Sequence, residues 1–325
     1  MTAESAPVPA APATGSPATG AAITGAPSPA AAARVADPPP PGRIRRLVRR
    51  LPVHLTLVAL LFIWLVPTIG VFINSFRSAD SITSSGWWTV LTAPSGLSLD
   101  NYSQVLGQED LGSKFLNSLY ITIPATLIPT MIAAFTAYAF AWMKFPGRTW
   151  IFLILVALIV IPLQTTFIPI GKLFNNFFGA NINGTFLAIW LAHTAYGLPF
   201  AIYLLRNFMG SLPREVFESA AIDGASPVTA FFRLALPMSI PAIASLVIFQ
   251  FVFVWNDLLV ALIFIGDNTD NQPLTQALAS LVSSFGSGWQ YLAAAGFIAM
   301  IMPLIVFISL QRFFVRGISA GAVKG

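Results

Sequence analysis

Six mostly apolar stretches, each about 20 residues or longer, set the limits on what this chain can become, since each can cross roughly 30 Å of hydrocarbon as a helix. They fall at 53–76, 115–143, 150–170, 185–205, 240–264 and 291–314. A core helix of a water-soluble domain rarely stays apolar for so long. Of the 325 residues, 56% are hydrophobic and only 9% charged, too little ionic surface to coat a soluble globule of this size. The expectation is an all-α, polytopic membrane protein with six transmembrane helices.

Residues 1–41 form an Ala/Pro/Thr/Ser/Gly tract with few large apolar side chains, unable to bury enough surface to offset the entropy of ordering. Arg43, Arg45, Arg46, Arg49 and Arg50 follow, directly before the first stretch. That order imitates a signal peptide, but the apolar run is too long for one and no small-x-small cleavage site follows it. Residues 1–50 are therefore expected to be a disordered cytoplasmic tail ending in a basic cluster, and 51–325 a transmembrane domain.

Lys and Arg gather in cytoplasmic loops, so the cluster, with Lys144, Arg148, Arg206, Arg214, Arg233, Arg312 and Arg316, places both termini inside. Only Arg77, Lys114 and Lys172 fall outside. Pro124, Pro129, Pro162, Pro169, Pro199 and Pro303 interrupt the stretches, and kinked helices are expected because neighbouring helices and water can re-satisfy the freed carbonyls.

Several chemistries are excluded. The absence of cysteine removes disulfides, thiol nucleophiles and thiolate metal sites. His54 and His193 are far apart and belong to no HExxH-like arrangement, so no metal site is expected. The net charge of +5 reads as basic loops that orient a membrane protein rather than as a nucleic-acid surface. No GxxxxGK[ST] loop is present to cradle a nucleotide phosphate, and the few acids form no catalytic pair with a nucleophile.

The longest inside loop, 207–237, carries the most information. Ser211 is positioned to cap a short helix beginning near Pro213, with Glu215 and Glu218 in its first turns, where the helix dipole favours negative charge. Gly224 suits the left-handed residue that stops it. Ser226 and Pro227 then open a second helix running through Phe231 and Phe232 to Pro237. On the first helix Phe217, Ala221 and Gly224 share a face, with Val216 and Ala220 beside them. Such a face either receives another protein closely or packs under the chain's own bundle.

The stretch PREVFESAAIDGA from Pro213 to Ala225, followed by Leu236, Pro237 and Pro241, resembles the EAA signature of permeases in binding-protein-dependent ABC importers. Glu215, Glu218, Ala220, Asp223, Gly224, Ala225, Leu236 and Pro237 coincide with it. Ser219 stands where alanine is usual, and is nearly as small. The resemblance implies the ABC importer permease fold and a loop, 207–237, whose helices dock in a cleft on an ATPase subunit. It is nearest to the maltose-type carbohydrate branch, in the shorter permease without a large external domain. Supporting pieces are Leu99-Asp-Asn-Tyr102, Phe115-Leu-Asn-Ser118, Trp255-Asn-Asp257 and the terminus from Gly317 to Gly325. Trp190 to Thr194 with Gly197 to Pro199 is similar to permeases assigned to α-glucosides.

What the resemblance implies is a non-catalytic subunit of the inner membrane that translocates a carbohydrate. Its partners are then a second, longer permease, two ATPase subunits that hold the ATP and magnesium, an extracytoplasmic sugar-binding protein and the membrane lipid, with no nucleic acid and no cofactor in this chain. A secondary transporter or channel not coupled to ATP has the same composition and topology, but needs no docking loop.

Polar groups inside hydrocarbon are expensive and often functional. Gln164, His193, Tyr196, Asn256 and Asp257 are therefore candidates for the substrate pathway, alongside Thr165 and Gln250. Trp190, His193 and Gly197 share a helical face, an aromatic beside a polar donor that suits a pyranose. Helix packing explains that stripe as well.

Overall fold

A computed structural model describes residues 43–92, 94–107, 110–281 and 288–322, all helix and connecting turns apart from two isolated bridges, Arg77 with Leu97 and Phe177 with Ala180. Residues 1–42 of the expected tail lie outside the described residues. The chain divides into a unit ending at Ala59, whose described part is the start of the first helix, and a unit from Leu60 onward that carries everything else.

In order, the helices are α1 Arg43–Asn74, α2 Ala79–Ser84, α3 Asp100–Gly107, α4 Leu111–Trp142, α5 Arg148–Leu158, α6 Phe167–Asn175, α7 Phe186–Met209, α8 Arg214–Ile222, α9 Pro227–Ala230, α10 Leu236–Met238, α11 Ile240–Trp255, α12 Leu259–Phe264, α13 Leu274–Leu281 and α14 Trp289–Ala322. The basic cluster is not part of a tail, because α1 already begins at Arg43. Arginine is a good helix former, and nothing in 43–52 breaks the register until Pro52, which the helix absorbs.

Four of the six expected spans are continuous helices long and apolar enough to cross a membrane, Arg50–Asn74, Leu111–Trp142, Phe186–Met209 and Trp289–Phe313. The other two are broken. In the third, Arg148–Leu158 meets Leu163–Asn175 at 99°. Pro162 supplies no N–H and drives Ile161 out of the helical region, and the chain recovers through a short 3₁₀ turn, Leu163–Thr166. The fifth ends at Trp255 and resumes at Leu259, interrupted by Asn256 and Asp257. Its other end meets the preceding loop segment, Pro227–Met238, at 71°.

Prolines inside α4, α7 and α14 leave their helices whole, and for three of them the reason is visible. A proline deprives the carbonyl four residues earlier of its helical donor. For Pro124 in α4 that carbonyl is Tyr120 O, which accepts the Trp190 indole Nε1 from α7 at 2.9 Å. For Pro129 it is Ala125 O, reached by Gln250 Nε2 from α11 at 3.4 Å. For Pro303 in α14 it is Ala299 O, which accepts Trp255 Nε1 at 3.0 Å. Neighbouring helices thus supply the missing donors, as an apolar solvent requires.

Small residues let α4 and α7 approach closely, with Ala133, Ala134, Ala137 and Ala201 buried where they pack. Toward the other end Ala125, Ala188 and Ala192 do the same around Phe174 and Phe264. A third cluster joins α3, α11, α13 and α14 through Val105, Phe251, Trp255 and Ala294. By contrast, the stretch of α1 after Leu60 leaves Phe62, Ile63 and Trp64 exposed, as a lipid- or partner-facing surface requires.

The motif pieces outside the loop act as pins. Arg77 is buried and donates to Asn74 Oδ1 at 3.0 Å and to Ser81 O and Ser85 Oγ at 2.6 Å each. Asn101 donates to both Ser75 O and Arg77 O at 2.9 Å, and Tyr102 OH meets Ser75 Oγ at 2.8 Å. Asn117 bonds Asp270 O and Gln272 O, while Ser118 Oγ accepts Leu274 N at 2.7 Å.

Candidate functional site

Two places bring chemistry-bearing residues together. The first is the loop after α7. The α8 helix starts at Arg214 with Pro213 in the capping position and no side-chain cap; Ser211 instead turns back and donates to Phe208 O at 2.7 Å. The expected Ser211 cap is therefore wrong. The residue sits too early, and its hydroxyl joins its own N–H on Phe208 O, at the end of α7.

The stop is as expected, in detail. Gly224 adopts φ +79°, Ala225 N donates to Ala220 O at 2.9 Å and Gly224 N to Ala221 O at 3.1 Å. Those paired bonds are a Schellman motif, which closes the last carbonyls of α8 and reverses the chain. Ser226 then caps the next helix by accepting Thr229 N at 3.2 Å, with Pro227 at its first position. This helix does not stop at Pro237. After Ala230 it widens into a π-helical turn, Phe231–Ala235, and continues through Met238. A π turn re-pairs carbonyls that a proline would otherwise strand.

The two sides of α8 differ in exposure. Phe217 is only 8% exposed and stacks on Trp142 with ring centroids 3.9 Å apart, so its side of the helix packs under the bundle. Trp142 Nε1 in turn donates to Met209 O, at the open end of α7, at 3.0 Å. Of the expected face, Phe217 is anchored inward and Ala220 half-buried, while Val216, Ala221 and Gly224 are exposed. Glu215, Glu218, Ser219 and Ile222 lie at spacings of three and four on the exposed side, Ile222 86% exposed. A cavity of about 710 Å³ separates Glu218 and Ala221 from Lys144 and Arg148. A second, of about 560 Å³, is floored by Ala220, Gly224 and Ala225 beside Arg233. Leu236 is half-buried and Pro237 exposed on the far side of the π turn.

The second place is where the two broken spans break. Asp257 Oδ2 accepts Val260 N at 2.8 Å, capping α12, and lies 3.9 Å from His193 Nε2 on α7. Thr275 on α13 donates to Asp257 O at 2.8 Å. One turn beyond His193, Tyr196 OH meets Thr166 Oγ1, in the 3₁₀ turn of the other break, at 2.9 Å. His193, Tyr196 and Asp257, scattered over 65 positions, thus converge with Thr166 and Thr275. His193 is 1% exposed and its Nδ1 has no hydrogen-bond partner.

Gln164 and Asn256 sit at the same two breaks but face outward, Asn256 donating to Val252 O at 2.9 Å. The stripe of Trp190, His193 and Gly197 is used for packing. Trp190 serves Tyr120 O, and at Gly197 any Cβ would lie 2.5 Å from Gln250 Nε2, so glycine there admits Gln250 to Ala125 O. Thr166, Thr275 and Trp142 were not singled out in the sequence. Hydroxyls and an indole inside apolar runs carry no local signal of what they will reach.

Comparison with known proteins gives a consistent result. Residues 129–320 match the family model described as "Binding-protein-dependent transport system inner membrane component". An osmoprotective compounds uptake permease protein, GgtD, from Synechocystis is 52% identical over 85% of this chain and 93% of its own length. An alpha-glucoside transport system permease protein, AglG, from Rhizobium meliloti is 38% identical over 84% of this chain and 97% of its own. Among solved structures, a chain of a bacterial ABC transporter involved in alginate import superposes with a TM-score of 0.66 at 18% identity, covering 85% of this chain and 99% of that one, a likeness of fold.

Proposed function

Because this chain belongs to the family of binding-protein-dependent transport system inner membrane components, we propose that it is the moved half of an ATP-driven carbohydrate importer, with ATP hydrolysed by partner subunits. The observation that carries this reading is the construction of α8. One face is fixed to the bundle through Phe217 on Trp142, the other presents Glu215, Glu218, Ser219 and Ile222, and both ends are closed by turns rather than by long flexible loops. A short rod held this way transmits a push. ATPase subunits dock on its exposed side, with Ala220, Asp223, Gly224 and Ala225 leaving the notch into which they fit, and Leu236 and Pro237 pass the movement into α11.

The loop end and both termini face the cytoplasm, where the basic residues gather. A second, longer permease completes the pathway and an external binding protein delivers the sugar. The α-glucoside class is favoured by the likeness to the Rhizobium alpha-glucoside transport system permease protein. Gln164 and Asn256 line the pathway, since exposed amides in a membrane span are costly against lipid and not against a polar solute. Tyr196, His193 and Asp257 stand behind them and hold the two breaks in place.

The test is reconstitution. In vesicles containing this chain with its cognate permease, ATPases and binding protein, a labelled α-glucoside accumulates when ATP is supplied and stops when ATP is withheld, ion gradient or not. Accumulation sustained by the gradient alone makes the protein a secondary transporter.

A further inference from the structure

Three carbonyls freed by prolines in α4 and α14 are each served by a side chain of another helix, an arrangement that does more than repair. Each donor crosses between spans, Trp190 from α7 to α4, Gln250 from α11 to α4 and Trp255 from α11 to α14. An ordinary helical bond is tied to its own register. A bond from a side chain on a neighbouring helix instead fixes one helix against another at a point where the receiving helix is already soft. We infer that Trp190, Gln250 and Trp255 are positioning residues of the transport cycle, with each proline and its borrowed donor forming a joint about which α4 and α14 bend while remaining fully hydrogen-bonded.

Chemistry and space agree with this. A freed carbonyl in hydrocarbon needs a donor, and an indole N–H is a donor only, on a rigid ring that also fills volume. Trp255 is 3% exposed and stacked on Phe251, so its N–H is aimed with little freedom. Gln250 reaches Ala125 only because Gly197 has no side chain, its Cβ position lying 2.5 Å from the amide nitrogen. All three donors sit on the two helices, α7 and α11, that flank the α8 loop. Movement of that loop reaches α4 directly where Phe217 stacks on Trp142, and is carried into the bends of α4 and α14 through these bonds, in the reading of α8 as the pushed rod, on which this inference rests.

The experiment is a double-substitution cycle in the complete transporter. Trp255→Phe keeps an aromatic ring but removes the indole N–H and some volume, stranding Ala299 O and weakening the folded state by about fivefold beyond the loss of volume, in unfolding equilibrium measured in mixed micelles. Pro303→Ala restores a helical N–H to that carbonyl, and in its background the cost of Trp255→Phe falls by about fivefold, leaving only the lost volume. Pro303→Ala alone is at least as stable as the parent, yet its transport turnover at saturating sugar falls by roughly threefold or more, because the joint has been stiffened. Pro124→Ala with Trp190→Phe repeats the cycle on α4. An undiminished cost of Trp255→Phe beside Pro303→Ala, or unchanged turnover in both Pro→Ala variants, overturns the inference. If the parent shows no ATP-driven uptake, the function assigned to α8 fails instead, and the stability cycle is read separately.

Discussion

The α8 loop and the polar cluster at the helix breaks solve the same problem, holding irregular backbone in a defined shape, by different means. The loop is held by backbone geometry: a Schellman turn at Gly224, a Ser226 cap and a π turn before Pro237. Its outward side chains are left unengaged and available. The breaks are held by side chains, Asp257 on Val260 N and near His193, Tyr196 on Thr166, Thr275 on Asp257 O. There the candidate pathway groups and the structural groups are the same atoms. Substitution in the loop should therefore separate transport from folding, whereas substitution at the breaks should move both.

The largest separation is expected at Gly224. A Cβ there meets nothing within 4 Å, so the obstacle is the φ of +79° and not space. Gly224→Val imposes left-handed strain of about 1–2 kcal/mol, most simply relieved by unwinding the turn between α8 and α9. ATP-driven uptake should fall by about tenfold or more while the melting temperature of the purified complex stays close to the parent's, since the bundle is untouched. Gly224→Asn, which tolerates this conformation, should recover most of the loss. Full uptake by the Val variant would remove the loop from the transport cycle.

At the breaks the two properties should fall together. Asp257→Ala removes the cap of α12 and the neighbour of His193, costing about 1–2 kcal/mol of stability in addition to transport. Asp257→Asn still accepts Val260 N and should keep most of that stability, so any transport defect it shows reports on the charge. His193→Leu is the sharper comparison. Its Nδ1 is buried without a partner, and replacing a poorly satisfied buried group by an apolar one can be near neutral in stability. Retained stability and retained uptake together would make His193 a packing residue.

The same contrast explains what could be read in the chain. Six spans followed from length and apolarity, and Gly224, Ser226 and Pro227 from turn chemistry, because these signals are local. Ser211 failed because it lies too early to accept an amide of α8, and its hydroxyl donates back to Phe208 O instead. Pro162 was expected to kink a helix and instead broke it at 99°, while the helices that hold Pro124, Pro129 and Pro303 stay continuous. What separates them is a donor some 44 to 125 residues away in sequence, which no local pattern announces. His193, Tyr196 and Asp257 were legible as candidates, since polarity in an apolar run is conspicuous. Their meeting at two helix breaks was not.

The smallest effect should come from Ser226, where the loop's reliance on backbone geometry can be measured without disturbing its exposed face. Its hydroxyl accepts Thr229 N at 3.2 Å and touches Thr229 Oγ1 at 2.9 Å, closing the start of a helix whose regular part is only four residues long. Ser226→Ala should cost about 1 kcal/mol locally, seen as about fivefold faster hydrogen exchange at the Thr229 amide. Amides of α4 and α7 should exchange as before, because Phe217 on Trp142 keeps the loop attached to the bundle independently of this cap. If protection is lost along α4 as well, the loop and the bundle fold as one unit, and the division between backbone-held and side-chain-held regions fails.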